Sequence, residues 1–158
     1  MKSLVVYDSV FGNTEEVARA VAGVLATGGE VAMKRPEEAS AADLEGVELL
    51  VVASPTRAFR ATPATISFIK QLAPDALHRV RVAAFDTRID VEKIDKRFLS
   101  FMVKTFGYAA GPIAKALQKK GGSPAAEPAG FLVGDKEGPL VDGERERAEE
   151  WARALIEG

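Results

Sequence analysis

The chain has 158 residues, of which 47% are hydrophobic and 28% charged, a balance typical of a soluble globular domain. Its formal net charge is −2 and its sequence pI is about 5.6, so the broad basic surface of a nucleic-acid-binding protein is not expected. There is no cysteine and the only histidine is His78, which excludes disulfides, thiolate chemistry and metal sites built from cysteine or several histidines.

Two features of the sequence bear on where the protein works. The first apolar run covers residues 4–7, which is too short for the apolar core of a secretory signal. No apolar stretch is long enough to cross a bilayer. We therefore expect a cytoplasmic protein that has no membrane span and binds no nucleic acid.

Short β-branched runs alternate with longer helical segments along the chain. A continuous apolar run such as residues 47–53 is typical of a strand buried on both faces of a parallel sheet. Asn13 or Thr14 is expected to cap the first helix, and Thr62 followed by Pro63 to begin the second. Strands are predicted at 4–7, 31–35, 47–53, 80–85 and 130–133, with helices between them and a last helix after residue 142.

The second half of the chain is less regular between residues 90 and 122. It contains an apolar run at 98–103, which fits a partner surface, a lid or packing beneath a neighbouring helix, and then a short helix from Pro112. Trp151 lies on the apolar stripe of the last helix and is predicted to belong to the core. The alternation predicts one α/β domain over residues 1–158, with three layers and a doubly wound, five-stranded parallel sheet in the order 2-1-3-4-5.

The loop between the first strand and the first helix has the composition of an anion site. In a doubly wound sheet, ligands bind outside the carboxyl ends of the strands, where a helix N-terminus offers free N–H groups. Ser9, Asn13 and Thr14 add side-chain donors, and Gly12 lets the backbone approach an anion closely. The loop has no Lys or Arg, which argues against a P-loop and suits a terminal monoester phosphate. Simple helix capping by the Asn-Thr pair is the alternative interpretation.

The sequence VVYDSVFGNT at residues 5–14 resembles the FMN phosphate loop of the flavodoxin family, whose usual pattern is Thr/Ser-x-Thr-Gly-Asn-Thr. A serine fills the first position and the last three positions match in full, but Phe11 replaces the usual hydroxyl residue, so one phosphate donor is missing. The resemblance extends over nearly the whole chain and implies a flavodoxin-like fold that binds FMN without a covalent bond. The residues that would hold the phosphate, here called the phosphate loop, are Ser9, Val10, Phe11, Gly12, Asn13 and Thr14.

Two further loops resemble those that hold the isoalloxazine ring in the flavodoxin family. One covers residues 54–60 after the third strand, and the other follows the fourth strand. Phe59 could cover the flat ring, with a core-facing position as the alternative, and Arg88 could equally pair with Asp86 or Asp90. The resemblance implies contacts with the ring from Pro55, Thr56, Arg57, Phe59, Asp86, Thr87 and Arg88.

The ring loops depart from the flavodoxin pattern in two ways. Arg57, Arg60 and Arg88 stand where low-potential flavodoxins usually carry acidic residues, and positive charge there should stabilise a reduced, anionic flavin. We therefore expect a less negative potential. No glycine lies between Ser54 and Pro63, so a backbone flip to positive φ, which many flavodoxins use in this loop, is disfavoured.

Three functions follow from these patterns. The sequence favours a non-covalent FMN-binding electron-transfer protein that works with a redox partner protein or a small-molecule electron acceptor, without a metal or a catalytic residue of its own. The second is an FMN-dependent oxidoreductase of the quinone reductase or protoporphyrinogen oxidase type, with residues 90–108 helping to form a substrate pocket. The third is a flavodoxin-like interaction module without flavin. The fold alone does not decide among them.

Overall fold

The computed structural model of the chain describes residues 1–89 and 108–158, so the apolar run at 98–103 lies outside the described residues. Within them the chain forms six strands and four α-helices. The strands are β1 (Lys2–Tyr7), β2 (Glu30–Lys34), β3 (Leu49–Pro55), β4 (Arg81–Ile89), β5 (Ser123–Pro124) and β6 (Ala129–Val133). The helices are α1 (Asn13–Leu25), α2 (Pro63–Gln71), α3 (Ala110–Lys119) and α4 (Glu144–Glu157).

The strands form one parallel sheet. Its order is β2-β1-β3-β4-β5, and β6 also pairs with β4, so the predicted order 2-1-3-4-5 is confirmed. The fifth position of the sheet is divided between β5 and β6. Pro124 and Pro128 lack the N–H group that a continuous ladder needs, and the ladder with β4 is interrupted between them.

Side chains of the central strands alternate between two cores. Leu4 and Val6 pack with α2 and α3, whereas Val5 between them packs with α1 and α4. Because helices cover both faces of the sheet, consecutive residues of a strand are buried and the strand is a continuous apolar run. Trp151 packs edge-on against Phe85 at a ring-centroid distance of 5.7 Å, which confirms its predicted place in the core.

The helices on the α2–α3 face start at defined caps. Thr62 caps α2 as predicted: its hydroxyl accepts the N–H three residues later at 3.4 Å, and Pro63 occupies the first turn. Helix α3 begins at Ala110, ahead of the predicted Pro112, because the buried carboxylate of Asp86 accepts the N–H of Ala110 at 2.9 Å. No helix among the described residues is both long and apolar enough to cross a membrane.

Candidate functional site

A cleft lies at the carboxyl ends of β1, β3, β4 and β6, the edge at which doubly wound sheets bind ligands. It encloses about 80 Å³. The structure brings together most of the predicted site residues here, while Gly12, Phe59 and Asp86 lie outside the lining. The lining residues are Ser9, Val10, Phe11, Asn13, Thr14, Pro55, Thr56, Arg57, Thr87, Arg88, Ile89, Val133 and Lys136.

The phosphate loop turns into α1 at Gly12. This residue has a φ of 95°, in the left-handed region that favours glycine, and it occupies the N-cap position. The Oγ of Ser9 accepts the N–H groups of Gly12 and Glu15, both at 3.2 Å. The predicted capping of this helix by Asn13 or Thr14 is wrong, because the oxygen that satisfies the first turn comes from the serine that begins the loop.

Four backbone N–H groups of the phosphate loop remain available to a ligand. Within the described part of the chain, the N–H groups of Val10, Phe11, Asn13 and Thr14 donate to no acceptor. The last two belong to the first helical turn, where the helix dipole adds partial positive charge. The buried hydroxyl of Thr14 lies 2.7 Å from that of Thr87, which joins the phosphate loop to the end of β4. The start of α1 therefore offers backbone donors to an anion.

The turn before α4 supports the phosphate loop from across the cleft. The Nδ2 of Asn13 donates to the carbonyl of Glu137 at 3.1 Å. Gly138 has a φ of 108°, and a Cβ at that position would lie 2.6 Å from the Oδ1 of Asn13. Lys136 of the same turn lines the cleft. Sequence reasoning missed this contact, since no local pattern connects residues that are so far apart in the chain.

Arg35 is a second residue that sequence reasoning missed. It follows β2, and since β2 pairs in parallel with β1, its side chain reaches the phosphate loop. The guanidinium donates to the carbonyl of Ser9 at 2.9 Å and lies 3.3 Å from the carboxylate of Asp8 and 3.4 Å from that of Glu15. Burial acts to lower the pKa of Arg35, but the contact with Tyr7 and the two carboxylates outweigh it, so the pKa is raised. The predicted pairing of the first two strands is the signal that could have placed Arg35 beside the phosphate loop.

Thr56 joins the two predicted ring loops. Its N–H donates to the carbonyl of Thr87 at 2.9 Å, and its hydroxyl accepts the N–H of Ala109 at 3.0 Å. The β3 loop is therefore bonded both to the end of β4 and to the residue before α3. All four sides of the cleft are fixed by bonds to a neighbouring element, since Thr14 joins the phosphate loop to β4 and Asn13 joins it to the turn after β6.

A tight turn follows Thr56. Arg57 and Arg60 exchange backbone hydrogen bonds of 2.8 and 3.0 Å across it, and the central residues Ala58 and Phe59 have φ angles of 49° and 67°. Two successive positive φ angles between bonded ends are the pattern of a type I′ turn, where glycine and asparagine are preferred. The loop thus holds two non-glycine residues at positive φ, and the expectation that its lack of glycine disfavours a backbone flip stays a prediction. The two backbone bonds hold the turn at a steric cost of about 1–2 kcal/mol for each central residue.

Among the described residues that line the cleft, Phe11 is the aromatic one. The guanidinium carbon of Arg57 lies 5.7 Å from its ring centroid, a cation–π contact. Phe59, the predicted cover for a flavin ring, instead lines a groove of about 730 Å³ between α2 and α3, together with Ile69 and Ile113. We call this the α2–α3 groove. Contact between Phe59 and a flavin stays a prediction that the geometry of the turn does not favour.

Arg88 is held in place by three neighbours. Its Nε and Nη2 donate to the two carboxylate oxygens of Asp86 at 2.7 and 2.8 Å, and the Asp86 side chain is fully buried. The guanidinium carbon lies 3.6 Å from the ring centroid of Tyr108, and a Cβ on Gly130 would overlap the guanidinium from the other side. The alternative interpretation of Arg88 as the partner of Asp86 is confirmed, so its charge is largely neutralised within the protein.

These residues fit the phosphate of FMN more closely than its ring. Unpaired N–H groups around a left-handed glycine form a neutral cradle for a monoester phosphate. The cleft of about 80 Å³ is smaller than an ordinary small-molecule pocket of about 300–1,000 Å³, so a bound ring requires side chains at the rim to move. Arg57 is exposed and makes no ion pair in the described ranges, whereas Arg88 is fixed, so of these two arginines Arg57 is the better able to move.

Comparisons with known proteins agree with this architecture. Flavodoxin 1 from Bacillus cereus superposes with a TM-score of 0.79 at 18% identity, covering 99% of this chain and 98% of that one. A flavodoxin from the domain Archaea gives a TM-score of 0.77 at 19% identity, covering 99% and 97%. The rubredoxin oxygen:oxidoreductase of Desulfovibrio gigas gives 0.65 at 14% identity, covering 99% of this chain and 35% of that one. At such identities these likenesses establish the fold.

Sequence comparison identifies the family. No curated protein sequence matches the chain significantly. The model of the flavodoxin domain, however, matches residues 4–130, which include the phosphate loop and both ring loops. Since this match covers well over half of the 158 residues, the chain belongs to the flavodoxin domain family.

Proposed function

We propose that this chain is a cytoplasmic, single-domain flavodoxin that binds FMN non-covalently in the cleft and transfers electrons. The free backbone N–H groups at the start of α1 are the observation that carries the proposal. They lie at the edge of the sheet where ligands of doubly wound folds bind, and they form a donor set for an anion that needs no cation from the loop. FMN supplies the one- or two-electron chemistry when bound.

The phosphate loop has the task of holding the phosphate. The N–H groups of Val10, Phe11, Asn13 and Thr14 would donate to the phosphate oxygens of FMN, and each such bond to a charged group would contribute about 1.5–3 kcal/mol. The oxygen of Ser9 accepts two backbone N–H groups, which leaves its proton free to point at the same anion. Phe11 contributes only its backbone N–H to this donor set.

The two ring loops have the task of holding and polarising the ring. Pro55, Thr56 and Arg57 contribute from the β3 side, and Thr87 and Arg88 from the β4 side. The buried carboxylate paired with Arg88 acts through that arginine, as a positioning group. Electrons then pass to or from a redox partner protein or a small-molecule acceptor at the open side of the cleft.

Titration of the ligand-free protein with FMN and with riboflavin tests the proposal. We expect flavin absorbance and quenched fluorescence, with FMN bound more tightly than riboflavin because only FMN carries the phosphate. Ser9→Ala should narrow this preference by about tenfold, since it removes one bond to a charged group. Ser67→Ala, an exposed serine on α2, is the matched control. Equal affinity for the two flavins contradicts the phosphate site, and no binding of either favours an interaction module without flavin.

A second candidate, the FMN-dependent oxidoreductase, is favoured by the α2–α3 groove. Its volume of about 730 Å³ is in the range of small-molecule pockets, and the strained turn 57–60 separates it from the cleft. Phe59 and Ile113 give it an apolar lining that suits a quinone or a tetrapyrrole. Steady-state turnover of NADPH with a quinone, or of a porphyrinogen, would favour this candidate over an electron carrier.

A further inference from the structure

Apolar side chains protrude from the phosphate loop beside the cleft. Among the described residues, Val10 and Phe11 are the large hydrophobic side chains that are exposed, at 48% and 44% of their full accessible area. Scattered single apolar residues need no explanation, but these two are adjacent and lie on the loop assigned to the cofactor. Neither contributes to the two core clusters.

Unpaired cations adjoin this apolar pair. A surface groove of about 730 Å³ along α2 runs from Val10 past Arg57, Arg60 and Ile66 to Lys70. Within the part of the chain that the structure describes, none of the three cations makes an ion pair, and no carboxylate lines the groove. The whole chain carries a net charge of −2, so positive charge is concentrated here against the overall balance. We call Val10, Phe11, Arg57, Arg60, Ile66 and Lys70 the docking face.

We propose that the docking face binds an acidic electron-transfer protein. This inference rests on the proposed function, because Val10 and Arg57 line both the groove and the cofactor cleft, so a partner seated on the face touches the edge of the flavin site. One electron passes between the partner's redox centre and the flavin, one centre being oxidised as the other is reduced, with no bond formed or broken. The cations steer and orient the partner, and the apolar pair supplies the contact that excludes water.

The shape of the face favours a protein over a small anion. The groove has the volume of a small-molecule site, but a small anion bound in it would leave Val10 and Phe11 about half exposed, whereas a protein partner can cover them. Aromatic and arginine side chains at the centre of an exposed patch are the composition typical of protein interfaces. The cation–π contact of Arg57 with Phe11 keeps these two side chains together on the face.

Binding of an acidic plant-type [2Fe–2S] ferredoxin tests the proposal. The oxidised ferredoxin is titrated into the protein by calorimetry at about 20 mM and about 200 mM salt, where screening differs strongly. We expect salt-sensitive binding that the double variant Arg60→Glu/Lys70→Glu weakens at least about tenfold at low salt. The matched control is Arg145→Glu/Arg153→Glu, which also reverses two exposed cations but on α4, at the opposite face of the sheet, and it should change the Kd less than about twofold. A basic c-type cytochrome should bind the double variant at least as well as the unaltered protein.

The titration separates this inference from the proposed function, since it does not require FMN. Ferredoxin binding that is lost in the double variant supports the docking face even if the protein fails to bind flavin, which would refute only the proposed function. Equal ferredoxin binding by the unaltered protein, the double variant and the control overturns the docking face even if FMN binds. Competition by NADP⁺ for the same cations assigns the face to a small anion, and self-association that the double variant abolishes assigns it to a second copy of the chain. Either result also overturns the proposal.

Discussion

Replacement of Arg88 by glutamine tests whether its pair with Asp86 holds the β4 loop in place. Asp86 is fully buried and accepts two bonds from the guanidinium and one from the N–H of Ala110. Arg88→Gln leaves this buried carboxylate without its counter-ion, and breaking a buried pair costs about 3–5 kcal/mol. Because 22% of the Arg88 side chain is accessible to solvent, we expect a cost at the lower end of this range. The free energy of unfolding should fall by about 3 kcal/mol.

Urea unfolding, followed by the fluorescence of Trp151, measures this loss. With a slope of about 2 kcal/mol per M, a loss of about 3 kcal/mol lowers the unfolding midpoint by about 1.5 M. The matched control is Arg153→Gln, which changes an arginine with 55% side-chain exposure and should shift the midpoint by less than about 0.25 M.

A double-mutant cycle separates the ion pair from other effects of the substitution. Asp86→Asn together with Arg88→Gln buries no unpaired charge, so the double variant should be more stable than the sum of the two single changes predicts, by about 1 kcal/mol or more. Strictly additive losses would refute the reasoning, and so would a midpoint for Arg88→Gln within about 0.3 M of the unaltered protein.

Three further predictions concern other parts of the molecule. Ala58→Gly should stabilise the fold by about 0.5 kcal/mol, because relief of strain at a φ of 49° exceeds the added entropy of the unfolded chain; a lower urea midpoint would contradict this. The bond to Arg147 lowers the pKa of Glu144, so this pair stabilises the fold above the carboxyl's ordinary value of 4.5 and the contribution is lost as the pH falls below it. Glu144→Gln should therefore flatten the acid side of the stability–pH curve, and an unchanged slope there would count against the pair. With FMN bound, Arg57→Gln should make the two-electron potential about 20 mV more negative, whereas the double variant Asp86→Asn/Arg88→Gln removes both charges of a neutral pair and should shift it less; equal shifts in a redox titration would argue otherwise.

The strands could be predicted because burial on both faces leaves a direct trace in the sequence. Residues 49–53 are all buried, and the apolar run there needs no knowledge of its neighbours. The start of α2 could also be predicted from adjacent residues, because Thr62 caps the helix and Pro63 occupies its first turn. The division of the fifth strand could not be recognised in the same way. The division depends on which N–H groups of β5 and β6 form hydrogen bonds with β4. The apolar run at residues 130–133 does not reveal this.

The candidate site was predictable in composition and only partly in geometry. The neutral phosphate loop at the first strand was expected, and the free N–H groups agree with it. The pairing of Arg88 with Asp86 was among the alternatives that the sequence offered, but the cap from Ser9 and the cation from Arg35 were not expected. Each depends on a backbone turn or on a contact between separate strands. A pattern within ten residues does not contain that information, whereas the order of strands in the sheet does.

The contact between Asn13 and the turn at Glu137 and Gly138 has a consequence for how this domain is delimited. The match to the family ends at residue 130, yet the residues that hold the phosphate loop from across the cleft come after that point. A fragment cut at residues 4 and 130 would keep every N–H donor of the phosphate loop. It would lose Glu137 and Gly138, which contact the side chain of Asn13. A graft or circular permutant of this site therefore has to include the turn at residues 137–138 and α4 together with the phosphate loop, because they form one binding unit.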